Sequence, residues 1–250
     1  MSGAYRNHIT LIELRNNPMK HNNEGQQDLD YIILSQLRGM EKALLEYKEL
    51  RAGLIFCLDR QFPKALNDVI IEKAIKYKRR GIVGIDFANY NTENFHFKDY
   101  VQSIKKAKEA GLKVTVHSGE TNDTNDMWDA IEFIQPLRFG HGIKAAYDKK
   151  LMQELVKQDI VLEICPLSNI VTKAVENVEE MRFILRTFSE NNVKFCINTD
   201  WPEIIENAHL AKQLEWIKEQ DLLTDEQIKR CNEIAFASTF VPQGGLSAYL

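Results

Sequence analysis

Seven short segments of the chain carry apolar and β-branched residues at successive positions. They are ITLIEL (9–14), GLIFCL (53–58), GIVGIDF (81–87), KVTVHS (113–118), LRFG (137–140), IVLEIC (160–165) and KFCIN (194–198). Continuous apolar runs of this length are typical of strands that are covered on both faces. The pattern therefore predicts seven buried β-strands.

Between these segments the apolar residues recur at helical spacing, for example over 31–50, 65–80 and 99–111, and Gly81 and Gly111 supply stop signals. Alternation of strand and helix predicts parallel strands joined by right-handed crossovers. So many repeats favour an α/β fold of the TIM-type (β/α)8 barrel over a doubly wound sheet. Only seven of the eight strands of such a barrel are apparent.

The part of the chain after Pro202 predicts two further helices, over 203–220 and 224–240, which we expect to pack outside the barrel. Thr224 and Gln227 have the spacing of a capping box at the start of the second helix. Because 250 residues can share one core and no linker or low-complexity segment interrupts them, we predict a single domain over 1–250.

Composition excludes several classes of partner and location. A net charge of -4, with basic and acidic residues mixed along the helices, argues against a nucleic-acid partner. No segment approaches the roughly 18 apolar residues of a membrane helix, and the first residues are polar, so we expect a cytoplasmic protein. The cysteines are isolated from one another, which predicts buried thiols and no disulfide framework. They are Cys57, Cys165, Cys196 and Cys231.

Ionisable residues follow several predicted strands, at the end where a barrel carries its active site. Among them are His117, Glu120, His141 and Asp200. Imidazole and carboxylate groups suit a divalent ion such as zinc, which lowers the pKa of bound water to about 7. His141 could hold or deprotonate that water, and Glu120 could deliver a proton to a departing nitrogen. The combination predicts metal-dependent hydrolysis of a C–N bond.

Several of these residues lie in longer motifs. The motifs GIDFAN (84–89), TVHSGE (115–120), RFGHGI (138–143), LEICPLSN (162–169) and NTD (198–200) with Pro202 resemble, in the same order, motifs of the adenosine deaminase family. The segment LIELRNNP (11–18) resembles the family's second strand.

The resemblance implies a role for each of four residues. His117 and Asp200 would bind one zinc ion, and Asp200 would also contact the attacking water. Glu120 would protonate the purine ring nitrogen beside the carbon under attack. His141 would hold or deprotonate the hydroxide.

The resemblance also implies a purine-binding surface. Gly119 would lie under the ring, and Asn89 stands where the family has a glycine whose backbone faces the purine. Ser168 and Asn169 are expected to shape a loop. Trp201 replaces an aspartate that would accept a hydrogen bond from the purine edge, whereas an indole can only donate or stack. Trp201 would either stack on a flat heterocycle or fill space.

The family completes its zinc site with an HxH pair on the first barrel strand, and this sequence contains no HxH. The missing pair and the missing strand are both expected if the chain starts at the family's second strand. Two ligands alone would bind zinc weakly, because zinc sites use at least three protein ligands. Among the other histidines, His8 is expected at the surface before a strand. His21 and His96 are expected in loops on the catalytic face, and His209 is expected in a tail helix.

Three functional hypotheses follow from these observations. The first is a zinc-dependent hydrolytic deaminase of adenosine or a related aminopurine, which gives inosine or its analogue and ammonia. The second is a truncated, non-catalytic barrel, and the third is a related metal hydrolase with a different heterocyclic substrate. A barrel without its first strand would expose two strand edges, which predicts homo-oligomers formed through them.

Overall fold

The computed structural model describes residues 1–22, 28–121, 123–206 and 208–243. Its strands are β1 (Leu11–Asn16), β2 (Arg51–Asp59), β3 (Ile82–Ala88), β4 (Lys113–Ser118), β5 (Arg138–His141), β6 (Val161–Ile164) and β7 (Phe195–Ile197). Its α-helices are α1 (Ser2–Arg6), α2 (Leu29–Glu46), α3 (Lys64–Tyr77), α4 (Val101–Glu109), α5 (Asn125–Asp129), α6 (Lys149–Lys157), α7 (Pro166–Val171), α8 (Val178–Glu190), α9 (Leu210–Glu219) and α10 (Asp225–Ser238).

The strands follow one another in chain order from β1 to β7. Pairing is parallel between β1 and β2, β2 and β3, β5 and β6, and β6 and β7. At least one helix lies between every two consecutive strands. This is the topology of a TIM-type (β/α) barrel, so the predicted fold class is confirmed, with seven strands in the described part of the chain.

Residues 1–115 together with the segment after Ser238 form one compact unit. Within it, the buried residues Ile55, Val83 and Phe240 form an apolar cluster. The side chain of Glu13 accepts hydrogen bonds from the Thr239 hydroxyl at 2.7 Å and from the Phe240 backbone N–H at 2.6 Å. The chain segment that follows α10 is therefore fixed to β1 by a carboxylate and to β2 and β3 by an apolar cluster.

Residues 116–238 form the second compact unit, which contains a buried ion pair. Arg138 in β5 and Glu163 in β6 lie with Nε and Oε1 2.8 Å apart, and their side chains are only 5% and 7% exposed. Arg138 also donates to the Ser238 carbonyl at 3.1 Å, at the end of α10. A charged pair thus links neighbouring strands to the last helix of this unit.

The prediction for the tail was partly wrong. The predicted helix over 203–220 begins only at Leu210, because His209 has extended backbone angles, φ -59° and ψ 140°, that a helix cannot include. The second tail helix and its capping box are confirmed. Thr224 N–H donates to Gln227 Oε1 at 2.9 Å, and Gln227 N–H donates to Thr224 Oγ1 at 3.2 Å.

All four cysteines are free, as predicted. Cys57 is half-buried, and Cys165, Cys196 and Cys231 are buried. Burial raises the pKa of the Cys231 thiol to about 12, so this side chain is uncharged at neutral pH. Among the described helices, none is long and apolar enough to cross a membrane.

We expect Arg138→Gln to lower the free energy of unfolding by about 3–5 kcal/mol, because it leaves the buried Glu163 carboxylate without its charged partner. The matched control is Arg186→Gln on α8. Arg186 pairs with Glu190 at 2.7 Å, but the two side chains are 76% and 59% exposed. That change should alter stability by less than about 1 kcal/mol. Urea denaturation measures both, and equal effects would contradict the prediction.

Candidate active site

Three of the predicted site residues lie together in the second unit. The rings of His117 in β4 and His141 in β5 have centroids 5.4 Å apart. His141 Nε2 lies 3.6 Å from Glu120 Oε2. The His141 side chain is 3% exposed, whereas that of Glu120 is 29% exposed. The site therefore has a buried imidazole beside a carboxylate that solvent or a substrate can reach.

Glycines bring these side chains close together. A Cβ on Gly140 would lie 3.0 Å from His117 Cγ, so the His117 ring packs on bare backbone of β5. Beyond the strands, Gly142 N–H donates to the Ser118 carbonyl and Lys144 N–H to the Gly119 carbonyl, each at 2.9 Å. These two bonds join the end of β4 and the loop after it, which carries Glu120, to the loop that follows His141 at the end of β5.

The loop after Glu120 is held at further points. Ser118 Oγ donates to Asp126 Oδ2 at 2.5 Å, at the start of α5. Asp148, the N-cap of α6, accepts from Thr124 Oγ1 and Trp128 Nε1, each at 3.1 Å. Burial opposes ionisation of Asp148, but the bonds that it accepts outweigh burial and lower its pKa. Asp148 is therefore an anion at neutral pH that anchors this loop.

Asp200 and His141 are both held by α7. Ser168 Oγ donates to Asp200 Oδ2 at 2.5 Å, and Asn169 Nδ2 lies 2.8 Å from His141 Nδ1. Ser168 and Asn169 are fully buried. The prediction that they shape a loop is wrong, because they lie in a helix. Pro166 was the available signal, since proline favours the first position of a helix.

Several predicted site residues have left-handed backbone angles. The φ values are 61° for His141, 60° for Asp200 and 71° for Asn89, and Gly119 has 66°. Residues other than glycine adopt such angles at an energetic cost, and they persist where the surrounding contacts hold them. Such strain collects at functional sites, and the apolar pattern of a sequence does not report it.

Asn89 belongs to the first unit. Its side-chain amide donates to Asp59 Oδ2 at 2.6 Å, and Lys20 forms an ion pair with the same oxygen. Close by in the sequence, the buried Asp86 pairs with Arg15 at 3.1 Å. The Asn89 side chain is therefore engaged by Asp59. The substrate-binding role of Asn89 stays a prediction.

Trp201 follows Asp200 directly and is 60% exposed. Its carbonyl accepts from the N–H groups of Ile204 and Ile205, which form the turn before α9. The roles predicted for Trp201 and Gly119 also stay predictions. The four remaining histidines are all exposed, and none lies within a group of metal-ligating side chains among the described residues. They are His8, His21, His96 and His209.

The donor types of His117 and Asp200 suit zinc, but the described residues do not form a complete zinc site. No group of three or more His, Cys, Asp or Glu side chains in the described ranges is arranged to hold a metal ion. Zinc sites in proteins use at least three protein ligands. A zinc ion at His117 and Asp200 would therefore need at least one further ligand.

Comparison with known proteins agrees with the resemblance of the sequence motifs. The sequence model of the family described as adenosine deaminase matches residues 2–248. An adenosine deaminase of Clostridium perfringens is 32% identical over 216 residues, which are 86% of this chain and 63% of that protein. The chain thus spans less than two thirds of the length of this relative.

Two solved structures share the fold. An adenine deaminase of Arthrobacter aurescens has a TM-score of 0.82 at 20% identity, over 99% of this chain and 74% of that one. An amidohydrolase of Burkholderia ambifaria with bound zinc has a TM-score of 0.83 at 18% identity, over 99% and 68%. At these identities the similarity shows the fold alone.

We expect Gly142→Ala to lower the free energy of unfolding by about 1–3 kcal/mol. Gly142 has φ 69°, and a Cβ there would lie 2.7 Å from Leu162 Cδ2. The control is Gly39→Ala in α2, where a Cβ would meet no atom within 4 Å. That change should stabilise the protein by about 0.5–1 kcal/mol. Chemical denaturation checks both signs, and a stabilising Gly142→Ala would contradict the strained turn.

Proposed function

The chain belongs to the adenosine deaminase family, and we propose that it is a hydrolytic deaminase of adenosine or a related aminopurine. The reaction would replace the exocyclic amino group by oxygen and release ammonia. The observation that carries the proposal is the cluster of His117, His141 and Glu120, with Asp200 anchored by Ser168. These residues lie in motifs that occur in the family's order.

Glu120 would act as the general acid. Displacement of nitrogen from a trigonal carbon requires a proton on the heterocycle or on the departing group. Glu120 is partly exposed, and its loop is anchored by the contacts of Ser118 and Asp148. A protonated Glu120 carboxyl would thus be presented to the ring nitrogen of a bound purine, and it would be reprotonated from the attacking water.

His141 and Asp200 would act on the attacking water. His141 is buried beside Glu120, so its imidazole can hold an oxygen atom without competition from bulk water. Asp200 has one carboxylate oxygen engaged by Ser168, which leaves the other to accept a hydrogen bond from that water. The Gly119 backbone, in the loop that follows β4, would contact the flat face of the purine.

Zinc is the cofactor that we propose. The proposal is supported by the family, by the zinc-bound amidohydrolase that has the same fold, and by the donor types of His117 and Asp200. When bound, zinc would lower the pKa of the attacking water. His117 and Asp200 would supply two of the zinc ligands, and at least one further ligand would have to complete the site.

Trp201 favours a second candidate, a related hydrolase with a different heterocyclic substrate. An exposed indole beside Asp200 offers a flat surface for stacking. It cannot accept a hydrogen bond from an amino or ring N–H group as a carboxylate would. A substrate panel of adenosine, adenine, a pterin and a cyclic amide separates the two candidates.

With zinc supplied, we expect the protein to convert adenosine to inosine. The loss of the adenosine absorbance band measures this conversion. Glu120→Gln should lower kcat by about 10²–10⁴-fold, because the amide cannot deliver a proton. Glu190→Gln at the exposed end of α8 is the matched control and should leave kcat unchanged. Absence of turnover with every purine tested, in the zinc-supplied wild type, would contradict the proposal.

We expect the chain to retain less than one equivalent of zinc after dialysis, because the described residues supply fewer ligands than a zinc site needs. His117→Gln should reduce the retained zinc to background, whereas His209→Gln, at an exposed position, should not change it. Metal analysis by mass spectrometry measures the retained zinc. Equal retention by the His117→Gln variant and the wild type would exclude His117 as a ligand.

A further inference from the structure

We propose that Asn169 is a positioning residue that fixes the tautomer of His141, with the ring proton on Nε2. In this tautomer His141 donates a hydrogen bond toward the reacting oxygen and does not act as a base. The inference deepens the proposed deaminase function and rests on it for its catalytic meaning. The tautomer itself can be measured without any activity.

The first step concerns the Nδ1 edge of the ring. Asn169 Nδ2 lies 2.8 Å from His141 Nδ1, and both side chains are buried. An amide NH₂ group can only donate, so Nδ1 must present its lone pair. In a neutral imidazole the single proton is then on Nε2.

The second step concerns the opposite edge. His141 Nε2 lies 3.6 Å from Glu120 Oε2. When Glu120 is ionised, a proton on Nε2 faces its carboxylate favourably, whereas a lone pair on Nε2 would face another acceptor. The contacts on both edges therefore favour the same tautomer.

The third step concerns the amide of Asn169, which could accept from Nδ1–H if it were reversed. Its oxygen, Oδ1, is buried and has no hydrogen-bond partner among the described residues. Reversal would give Oδ1 a partner, but it would move the ring proton to Nδ1 and turn the Nε2 lone pair toward Glu120. The amide orientation and the tautomer are thus one choice, and an ionised Glu120 favours the tautomer with the proton on Nε2.

The backbone of Asn169 is fixed on both sides. Its N–H donates to the Cys165 carbonyl, and its own carbonyl accepts from Val175 N–H, each at 2.9 Å. The preceding residue, Ser168, holds Asp200. One helical turn therefore orients two residues of the site, and a change at Asn169 should act on His141 without moving the backbone.

The tautomer decides between the two roles that remain open for His141. As an Nε2–H donor, His141 holds the attacking oxygen and stabilises the negative charge that develops on it. The proton of the attacking water would then pass to a carboxylate, Asp200 or Glu120, and from Glu120 to the purine nitrogen.

The test is long-range ¹H–¹⁵N correlation spectroscopy of protein with ¹⁵N-labelled histidine, at a pH about two units above the ordinary histidine pKa. His141→Gln assigns the His141 signals. The wild type should show the Nε2–H tautomer. Asn169→Asp has nearly the same shape, but its carboxylate can only accept, so it should convert His141 to the Nδ1–H tautomer.

Two control variants separate the tautomer effect from general disturbance. Ser168→Ala alters the same helical turn without touching His141, and Asn191→Asp adds a charge at an exposed position after α8. Both should keep the Nε2–H tautomer. Asn169→Ala removes the donor and should give a mixture of tautomers, and this variant decides the question if Asn169→Asp does not fold.

The activity arm adds a kinetic readout. Asn169→Asp should lower kcat by about 100-fold with little change in KM, because a donor to the reacting oxygen is lost. An Nδ1–H tautomer in the wild type, or an unchanged tautomer in the folded Asn169 variants, would overturn the inference. If no protein turns over a purine while the tautomer switches as expected, the proposed function fails and the positioning role stands.

Discussion

The candidate site depends on two backbone hydrogen bonds at the carboxyl ends of β4 and β5. Parallel strands bring their carboxyl ends to one edge of a sheet, but this leaves the side chains that follow free to diverge. The bonds from Gly142 to Ser118 and from Lys144 to Gly119 remove that freedom. They require close approach of two backbones, which is why glycine with positive φ is found on both sides. The short distance between His141 and Glu120 is a consequence.

A second set of hydrogen bonds satisfies polar side chains that are buried in the interior of the second unit. Ser168 and Asn169 are fully buried, yet each makes a hydrogen bond to a side chain of the site. A hydrogen bond is stronger in such surroundings than in water, and an unpartnered polar group there is costly. The same bonds can therefore maintain the left-handed backbones of His141 and Asp200, which would be unfavourable without support.

Much of the fold could be predicted from the sequence, because burial on both faces leaves a continuous apolar run that periodicity detects. The grouping of His117 with Glu120 could also be predicted, since they lie three residues apart at the end of one strand. The contact of Ser168 with Asp200 could not, because 32 residues separate them and neither apolar pattern nor propensity reports such a pair. The interruption of the tail helix at His209 was missed for a related reason. His209 has φ -59° and ψ 140°, and side-chain propensities do not predict the backbone angles of a single residue.

The proposed hydrolysis of a C–N bond would need both a proton for nitrogen and an activated water. Glu120, the proposed proton donor, lies beside His141, and loop hydrogen bonds and Asn169 hold this part of the site. His117 and Asp200 are the metal ligands that we propose, and the described residues contain no group of three or more potential ligands. Asp200 is held by Ser168, in the same helical turn that holds His141. In the proposed reaction these hydrogen bonds would preorganise the acid–base groups, because neighbouring side chains hold them in position before a substrate binds.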